Sequence, residues 1–461
     1  MEISKAMFLN KFLVTSDRPN KFLAKERFTL REKQNIILDA DVKSVLFYRK
    51  WIQAQTNNAL DNTRILGIVA AAKGAENYLP YTIPKMIQQI SEIGMMADIV
   101  IGLNNGFECP TVIDRFILLP NVQVIHLYTG EKLANNIPAP IFDNLMCQGK
   151  PYCLINIEPQ PSQHRIFIVH QREGQYSAGK IRILGDIYGS LLLKSIENGW
   201  IPPAIAVAFD AESQFLIEED YSVLQPESNG LKLIVNQLQN YPEIDILGTR
   251  NKFAVYQKGI VDGTEVLVPN FSEEVPPIQW FIDIAHGKFS GFQSKPGSGT
   301  VARTDVLVSL VAVISERYPG IRVEDTHLSI LAKYAGFIGD IFIDVISTNR
   351  TPHLTDMTLE QPPKKAWVEQ VYRWNSGYRG LELLYGKHNI QSIISYGFTW
   401  FILTRPITFC KSVIGSEKIN LYTLFRTLKA LAIAFIVSRK ISKRSFVQPE
   451  ILQGSEAKAC W

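Results

Sequence analysis

Residues 204–209 (AIAVAF) form an unbroken apolar run that leads straight into the acidic group Asp210-Ala211-Glu212. A strand with one face in water alternates apolar with polar; an unbroken run is buried on both faces, as in a parallel sheet covered by helices. Near-continuous apolar strand candidates recur at residues 65–72, 98–103, 122–128 and 166–169. Between them, residues 78–93 carry Ile83, Met86, Ile87, Ile90 and Ile93 at helical spacing, and residues 180–196 read as a second helix. This strand, helix, strand rhythm predicts an α/β fold with a mostly parallel central sheet flanked by helices. Residues 305–315 and 325–334 read as further helices, and 341–346 as a strand. In open sheets of this class, ligands meet the carboxyl ends of the strands, which places Asp210 well for chemistry.

The chain has 461 residues, 46% of them hydrophobic, which suits a globular protein and excludes wholesale disorder. A net charge of +4 on this length lacks the concentrated basic footprint of a nucleic-acid binder, so no nucleic-acid partner is expected. Five cysteines, Cys109, Cys147, Cys153, Cys410 and Cys460, form no CxxC pair. Their odd count and irregular spacing predict neither a disulfide framework nor a structural zinc site, and favour a reducing, cytoplasmic setting. Residues 1–13 lack the long apolar core and cleavage site of a secretory signal, and no stretch of about 18 apolar residues predicts a membrane span.

Three regions follow from texture. Residues 1–60 are charged and mixed with no strong period, and read as an N-terminal extension that packs on the domain or on a partner. Residues 61–385 hold the α/β rhythm and read as one catalytic domain. Residues 386–461 are aromatic and aliphatic with Trp400, followed by the basic group Arg439, Lys440, Lys443 and Arg444. This last region reads as helical, either packed on the domain or lying on an anionic membrane surface.

Four polar motifs occur in order: Asp210-Ala211-Glu212, then residues 299–303, then Glu324-Asp325, then Gln370 with Arg373-Trp374. Asp210 and Glu212 can reach one hard divalent cation, Mg²⁺ or Mn²⁺, whose shell substrate phosphates would complete. The alternative is a solvated acidic turn. Glu324-Asp325 heads a predicted helix, where a carboxylate either caps the dipole or serves as a general base. His327, nearby, is a metal ligand, a supporting group or a structural histidine. On a helix, Gln370 and Arg373 or Trp374 would share a face; an Arg there can grip a diphosphate, and a Trp can stack on a sugar or pack the core. Lys180 and Arg303, each at a helix entry, are phosphate contacts or surface charges.

In this order the motifs resemble the family 2 glycosyltransferases of the GT-A fold, over residues 62–380 or so. Residues 68–79 (IVAAAKGAENYL) resemble the family's opening strand and nucleoside-contacting loop, with Glu76 near its acidic position. Residues 98–106 (DIVIGLNNG) resemble the strand that ends in an acidic loop, here with Asn104-Asn105 in place of carboxylates. Asp210-Ala211-Glu212 resembles the metal-binding DxD, Glu324-Asp325 the ED whose Asp is the base, and Gln370, Arg373 and Trp374 the QxxRW. The resemblance implies an inverting glycosyltransferase with Asp325 and Glu324 catalytic and Asp210 and Glu212 on Mg²⁺ or Mn²⁺. Glu76, Asn104, Lys180, Gln370, Arg373 and Trp374 would then bind the donor, a nucleotide-sugar. The acceptor would be a glycan or a lipid-linked hydroxyl, and the protein cytoplasmic, with a peripheral place on the inner face of a membrane. The rival reading is a degenerate transferase fold that binds a nucleotide-sugar or glycan as a non-catalytic scaffold at a membrane.

Overall fold

The computed structural model describes residues 29–71, 75–103, 116, 119–129, 145–148, 150–156, 163–171, 180–217, 228–261, 264–270, 299–318, 321, 323–350, 377, 380–386 and 389. The expected helical C-terminal region, 386–461, lies almost wholly outside them. Among them, no helix is long and apolar enough to cross a membrane.

A twelve-stranded sheet forms the centre. Its strands are β1 (Asp61–Ala71), β2 (Met96–Leu103), β3 (Val122–Thr129), β4 (Leu145–Cys147), β5 (Lys150–Pro151), β6 (His164–His170), β7 (Pro203–Asp210), β8 (Phe215–Ile217), β9 (Ile246–Val261), β10 (Thr264–Asn270), β11 (Thr300–Arg303) and β12 (Gly339–Arg350). Their spatial order is β5-β4-β3-β6-β2-β1-β7-β11-β9-β12-β8, with β10 paired to β9. From β3 through β7 every neighbour pair is parallel. The short β11 runs antiparallel to both β7 and β9, so β9 and its parallel neighbour β12 point the same way as β7. The expected mixed α/β sheet, mostly parallel and flanked by helices, is what the chain forms. Part of the segment between residues 129 and 163 adds the edge strands β4 and β5 beside β3.

Along the apolar runs nearly every position is buried, and successive side chains face opposite layers. Ile65 and Val69 of β1, Ile99 and Ile101 of β2, Ile166 and Ile168 of β6, and Ile205 and Val207 of β7 face one layer. Helices α2 (Leu79–Glu92) and α4 (Gly230–Asn240) cover that layer through Ile83, Met86, Leu231 and Ile234. Leu66, Ile68, Val100, Phe167, Val169 and Ala206 face the opposite layer. It is covered by α3, continuous through Lys180–Gly185, a wider π-helical stretch Asp186–Leu193, and Lys194–Glu197. Beside α3 stand α5 (Thr304–Arg317) and α6 (Glu324–Tyr334). Gly102 of β2 sets the closeness of α3, because a Cβ there would lie 2.5 Å from Cγ1 of Ile183.

The reading of residues 1–60 as having no strong period misses a 26-residue helix, α1 (Leu30–Gln55). It starts at a capping box in which the Thr29 side chain accepts from Glu32 N–H and the Glu32 carboxylate accepts from Thr29 N–H. Its buried positions are Gln34, Leu38, Asp41, Val45 and Ile52, a helical stripe in which two members are polar. Arg49 pairs with Asp305 at 3.1 Å and with Asp245 at 2.7 Å, and Gln53 donates to Asp305 at 2.8 Å. These contacts fasten α1 to the start of α5 and to the turn before β9.

At the amino ends of the central strands, Asp98 is 1% exposed and is shared by two guanidiniums. Arg64 of β1 reaches Oδ1 at 2.6 Å, and Arg165 of β6 spans both carboxylate oxygens, with Nη2 at 2.5 Å from Oδ2. Arg64 also donates to the Gln163 carbonyl. Removing one partner from a buried ion pair leaves the others charged without compensation. Asp98→Ala is expected to lower unfolding stability by about 3–5 kcal/mol, read by chemical denaturation. A loss below about 1 kcal/mol would contradict the assignment.

Candidate functional site

Strand β7 delivers Asp210 to the carboxyl edge of the sheet, where Ala70 of β1 stands opposite it in register. The turn that follows is tied on both sides. Ser213 N–H donates to the Asp210 carbonyl at 2.9 Å, and the Asp210 N–H meets Ser213 Oγ at 3.3 Å. Thr82 of α2 donates its hydroxyl to the Ala211 carbonyl at 2.6 Å. Glu212 is half-buried within this turn.

Lys180 opens α3 and reaches across to the same edge. Its Nζ lies 2.7 Å from Asp210 Oδ1 and 3.6 Å from Glu324 Oε1. Glu324 and Asp325 are the first two residues of α6, whose Val323 cap offers no side-chain hydrogen bond. Asp325 Oδ1 accepts from the Thr326 N–H at 2.8 Å, so this carboxylate serves the helix start. The cluster is accessible: the Lys180 and Asp210 side chains are 33% and 32% exposed, Glu324 18%.

Burial works against the charge on Lys180. The attraction of Asp210 and Glu324, the hydrogen bond to Asp210 and the field of Asp325 outweigh it, and the ammonium is held well above its ordinary range. Glu324 is pushed up, chiefly by burial and then by the neighbouring Asp325 and Asp210, against the pull of Lys180 and of its own helix start. Three carboxylates therefore share one ammonium.

Of the residues expected to act, the structure brings Lys180, Asp210, Glu324 and Asp325 together. Glu76 sits in the 3-10 turn Ala75–Tyr78 just past β1, its side chain outside the described residues. Asn104, Gln370, Arg373 and Trp374 also lie outside them. For two residues the structure decides between the alternatives. Arg303 pairs with Ile205 at the far end of β7, about 16 Å along the strand from Asp210. Its guanidinium donates to the carbonyls of Ile244 and Pro242, so it is no phosphate contact at this edge. His327 is fully buried, with Nε2 against the Tyr385 hydroxyl, and burial pushes its ring down to about 3. It stands outside the Lys180 cluster as a neutral interior histidine.

The motif at residues 299–303 has a structural role. Gly299 takes φ +76°, and its N–H donates to the Ala208 carbonyl at 2.9 Å as the chain enters β11. A Cβ there would collide with Ser347 and Thr249, so the position needs glycine on two counts. Nothing in the sequence marks Thr82 or Ser213 as supports of the Asp210 turn, since lone hydroxyls at that spacing are commonplace.

No family model and no curated protein matches the chain. Among solved structures, it aligns with the mannosyltransferase PcManGT of Pyrobaculum calidifontis, solved with GDP-Man and Mn²⁺. That alignment has 11% identity and TM-score 0.40, over 90% of this chain and 100% of that one. Residues 1–349 of S. aureus TarS align at 9% identity and TM-score 0.34, over 84% of this chain and 93% of that chain. A second TarS structure gives 12% identity and TM-score 0.33, over 81% and 49%. Similarity at this level assigns neither family nor activity.

Glu324 supplies a direct test of the electrostatics. With its pKa raised above 4.5 on folding, the folded chain holds more protons than the unfolded one above that pH. Stability from this group then falls as pH rises through the raised value. Glu324→Gln removes that slope. Its unfolding free energy relative to the parent is expected to rise as pH climbs from the ordinary carboxylate range through the raised value in urea titrations, and a constant difference would refute the arrangement.

Proposed function

We propose that the chain is an inverting glycosyltransferase that moves a sugar from a nucleotide-diphospho-sugar to an acceptor hydroxyl. The observation that supports it most is the meeting of Lys180, Asp210 and the Glu324-Asp325 pair at one carboxyl edge of a parallel sheet. That edge offers a cation, a metal-type carboxylate and a base in one accessible cluster.

Asp325 is assigned as the base. It takes the acceptor proton as the acceptor oxygen attacks the anomeric carbon, and the bond to the nucleoside diphosphate breaks on the opposite face. Lys180 holds Asp210 and Glu324 in place and offers its ammonium to the departing diphosphate. Electrostatic stabilisation of developing charge of this kind is a large part of transfer catalysis. Glu324, adjacent to the base, shares the local charge.

Asp210 and Glu212 suit a hard divalent cation, because they offer oxygen donors two residues apart in a braced turn, one of them a third exposed. The described residues contain no cluster of three or more such ligands, so phosphate oxygens and water would have to fill the shell. Mg²⁺ or Mn²⁺ bound there would neutralise the leaving group. Glu76, Asn104, Gln370, Arg373 and Trp374 remain proposed donor contacts. A glycan or lipid-linked hydroxyl remains the proposed acceptor, with residues 386–461 toward a membrane surface.

Asp325→Asn is expected to lower kcat by roughly two to four powers of ten with little change in donor affinity, measured by steady-state transfer and calorimetry. An Asp325→Asn enzyme of parental rate would remove it as the base. Asp210→Ala is expected to abolish Mn²⁺-dependent binding of nucleotide-sugars in titration calorimetry, and unchanged affinity would sink the metal assignment. If the parent bound no nucleotide-sugar at all, the catalytic reading would give way to the scaffold.

A further inference from the structure

Behind the candidate site, a buried polar chain links three parts of the sequence that lie far apart. Asp41 of α1 is fully buried. Its Oδ2 accepts from the hydroxyls of Tyr318 at 2.6 Å and Tyr385 at 2.8 Å, and its Oδ1 pairs with the Arg317 guanidinium. Tyr385 ends the helical residues 380–385, and its hydroxyl also meets Nε2 of His327 in α6. The rings of Tyr318 and Tyr385 pack on His327 with centroids at 5.0 and 5.3 Å.

Burial pushes the Asp41 carboxyl up and the Arg317 guanidinium pulls it down; with Asp41 ionised, the protons in this chain follow one order. Three donors converge on Asp41, which fits its ionised, acceptor-only form. Tyr385 has one hydroxyl proton and gives it to Asp41, so its oxygen must accept from His327. His327 therefore carries its hydrogen on Nε2, two residues beyond Asp325. The same face is clamped elsewhere. Gln34 of α1 donates to the Leu383 carbonyl at 2.8 Å. Gly377 lies so close to Val323, the residue before Glu324, that a Cβ there would fall 2.7 Å from its Cγ2.

We infer that Asp41, Tyr385 and His327 are positioning residues that fix the first turn of α6, and with it Glu324 and Asp325, against α1 and the helical segment at 380–385. The N-terminal helix is thus a working part of the site's support. What α6 is positioned for rests on the transferase reading; the coupling itself rests on the contacts. A carboxylate base depends steeply on its placement, so loosening the turn acts on the chemical step before it acts on donor binding.

The variants are Tyr385→Phe, which keeps the ring and deletes the relay; His327→Leu, which deletes the donor; and His327→Gln, whose amide nitrogen can replace Nε2. Tyr385→Phe and His327→Leu are expected to lower kcat about 10- to 100-fold, with the donor KM within about twofold and the rate largely restored in His327→Gln. Deuterium exchange in peptides covering residues 323–334 should quicken in the first two variants and not in the third. Parental kcat in Tyr385→Phe, or a loss of kcat that merely tracks global unfolding, overturns the inference. Absence of transfer by the parent overturns the transferase reading instead. The exchange experiment then decides alone: quicker exchange in the α6 first turn of Tyr385→Phe supports the coupling, and parental exchange overturns it.

Discussion

Parallel pairing of β1 with both β2 and β7 is the constraint on which the rest of the molecule depends. It lines up three strand ends, with Ala70 opposite Asp210 and Ala71 opposite Leu103. Both faces of these strands are covered, so ligands can meet them only at that edge. Gly102 then lets α3 settle closely on the sheet, and α3 begins with Lys180. A larger side chain at 102 would lift the helix and move the ammonium from Asp210. The site is thus a consequence of how tightly one helix can approach one strand.

The ion pairs divide into two physical kinds. Asp98 and Asp41 are essentially inaccessible, and each is surrounded by several directed donors. Pairs of that kind cost much to break, because the orphaned charge stays buried. Asp98 pins β1, β2 and β6 at their amino ends; Asp41 pins α1 to the end of α5 and to the helical segment 380–385. The Lys180–Asp210 pair is a third exposed on both sides. Its net worth is small, since water can replace either partner. Rigid pairs hold the frame, and the more exposed pair sits at the carboxyl edge of the sheet.

The sheet was legible because its strands are near-continuous apolar runs, and the helices α2, α3, α5 and α6 because their apolar residues recur at helical spacing. The long helix α1 was not, because Gln34 and Asp41 occupy buried positions that an apolar stripe would need. Their burial makes sense only with Leu383, Arg317, Tyr318 and Tyr385 in view, residues more than 270 positions away. Helix α4 and the strands β4, β5, β8, β9, β10 and β11 went unread as well. At the site, Asp210, Glu324 and Asp325 could be named from motif order, and Lys180 from its place at a helix entry. What the order could not convey was their mutual contact, or that His327 faces inward while Asp325, two residues earlier, does not share its burial.

Charge at the site carries the argument one step further. Asp210, Glu324 and Asp325 all act on Lys180, so three carboxylates surround one ammonium. Burial is the first cause of the raised pKa of Glu324, and the like charges of Asp325 and Asp210 add to it. A diphosphate is itself an anion, and this cluster would repel it unless positive charge came with it. Lys180 cannot meet that need alone, being already committed to Asp210. Under the proposed function, a divalent cation held by Asp210 and Glu212 would supply that positive charge and leave the Lys180 ammonium to the phosphates. The excess of carboxylates, unhelpful for binding phosphate directly, is what such a cation requires.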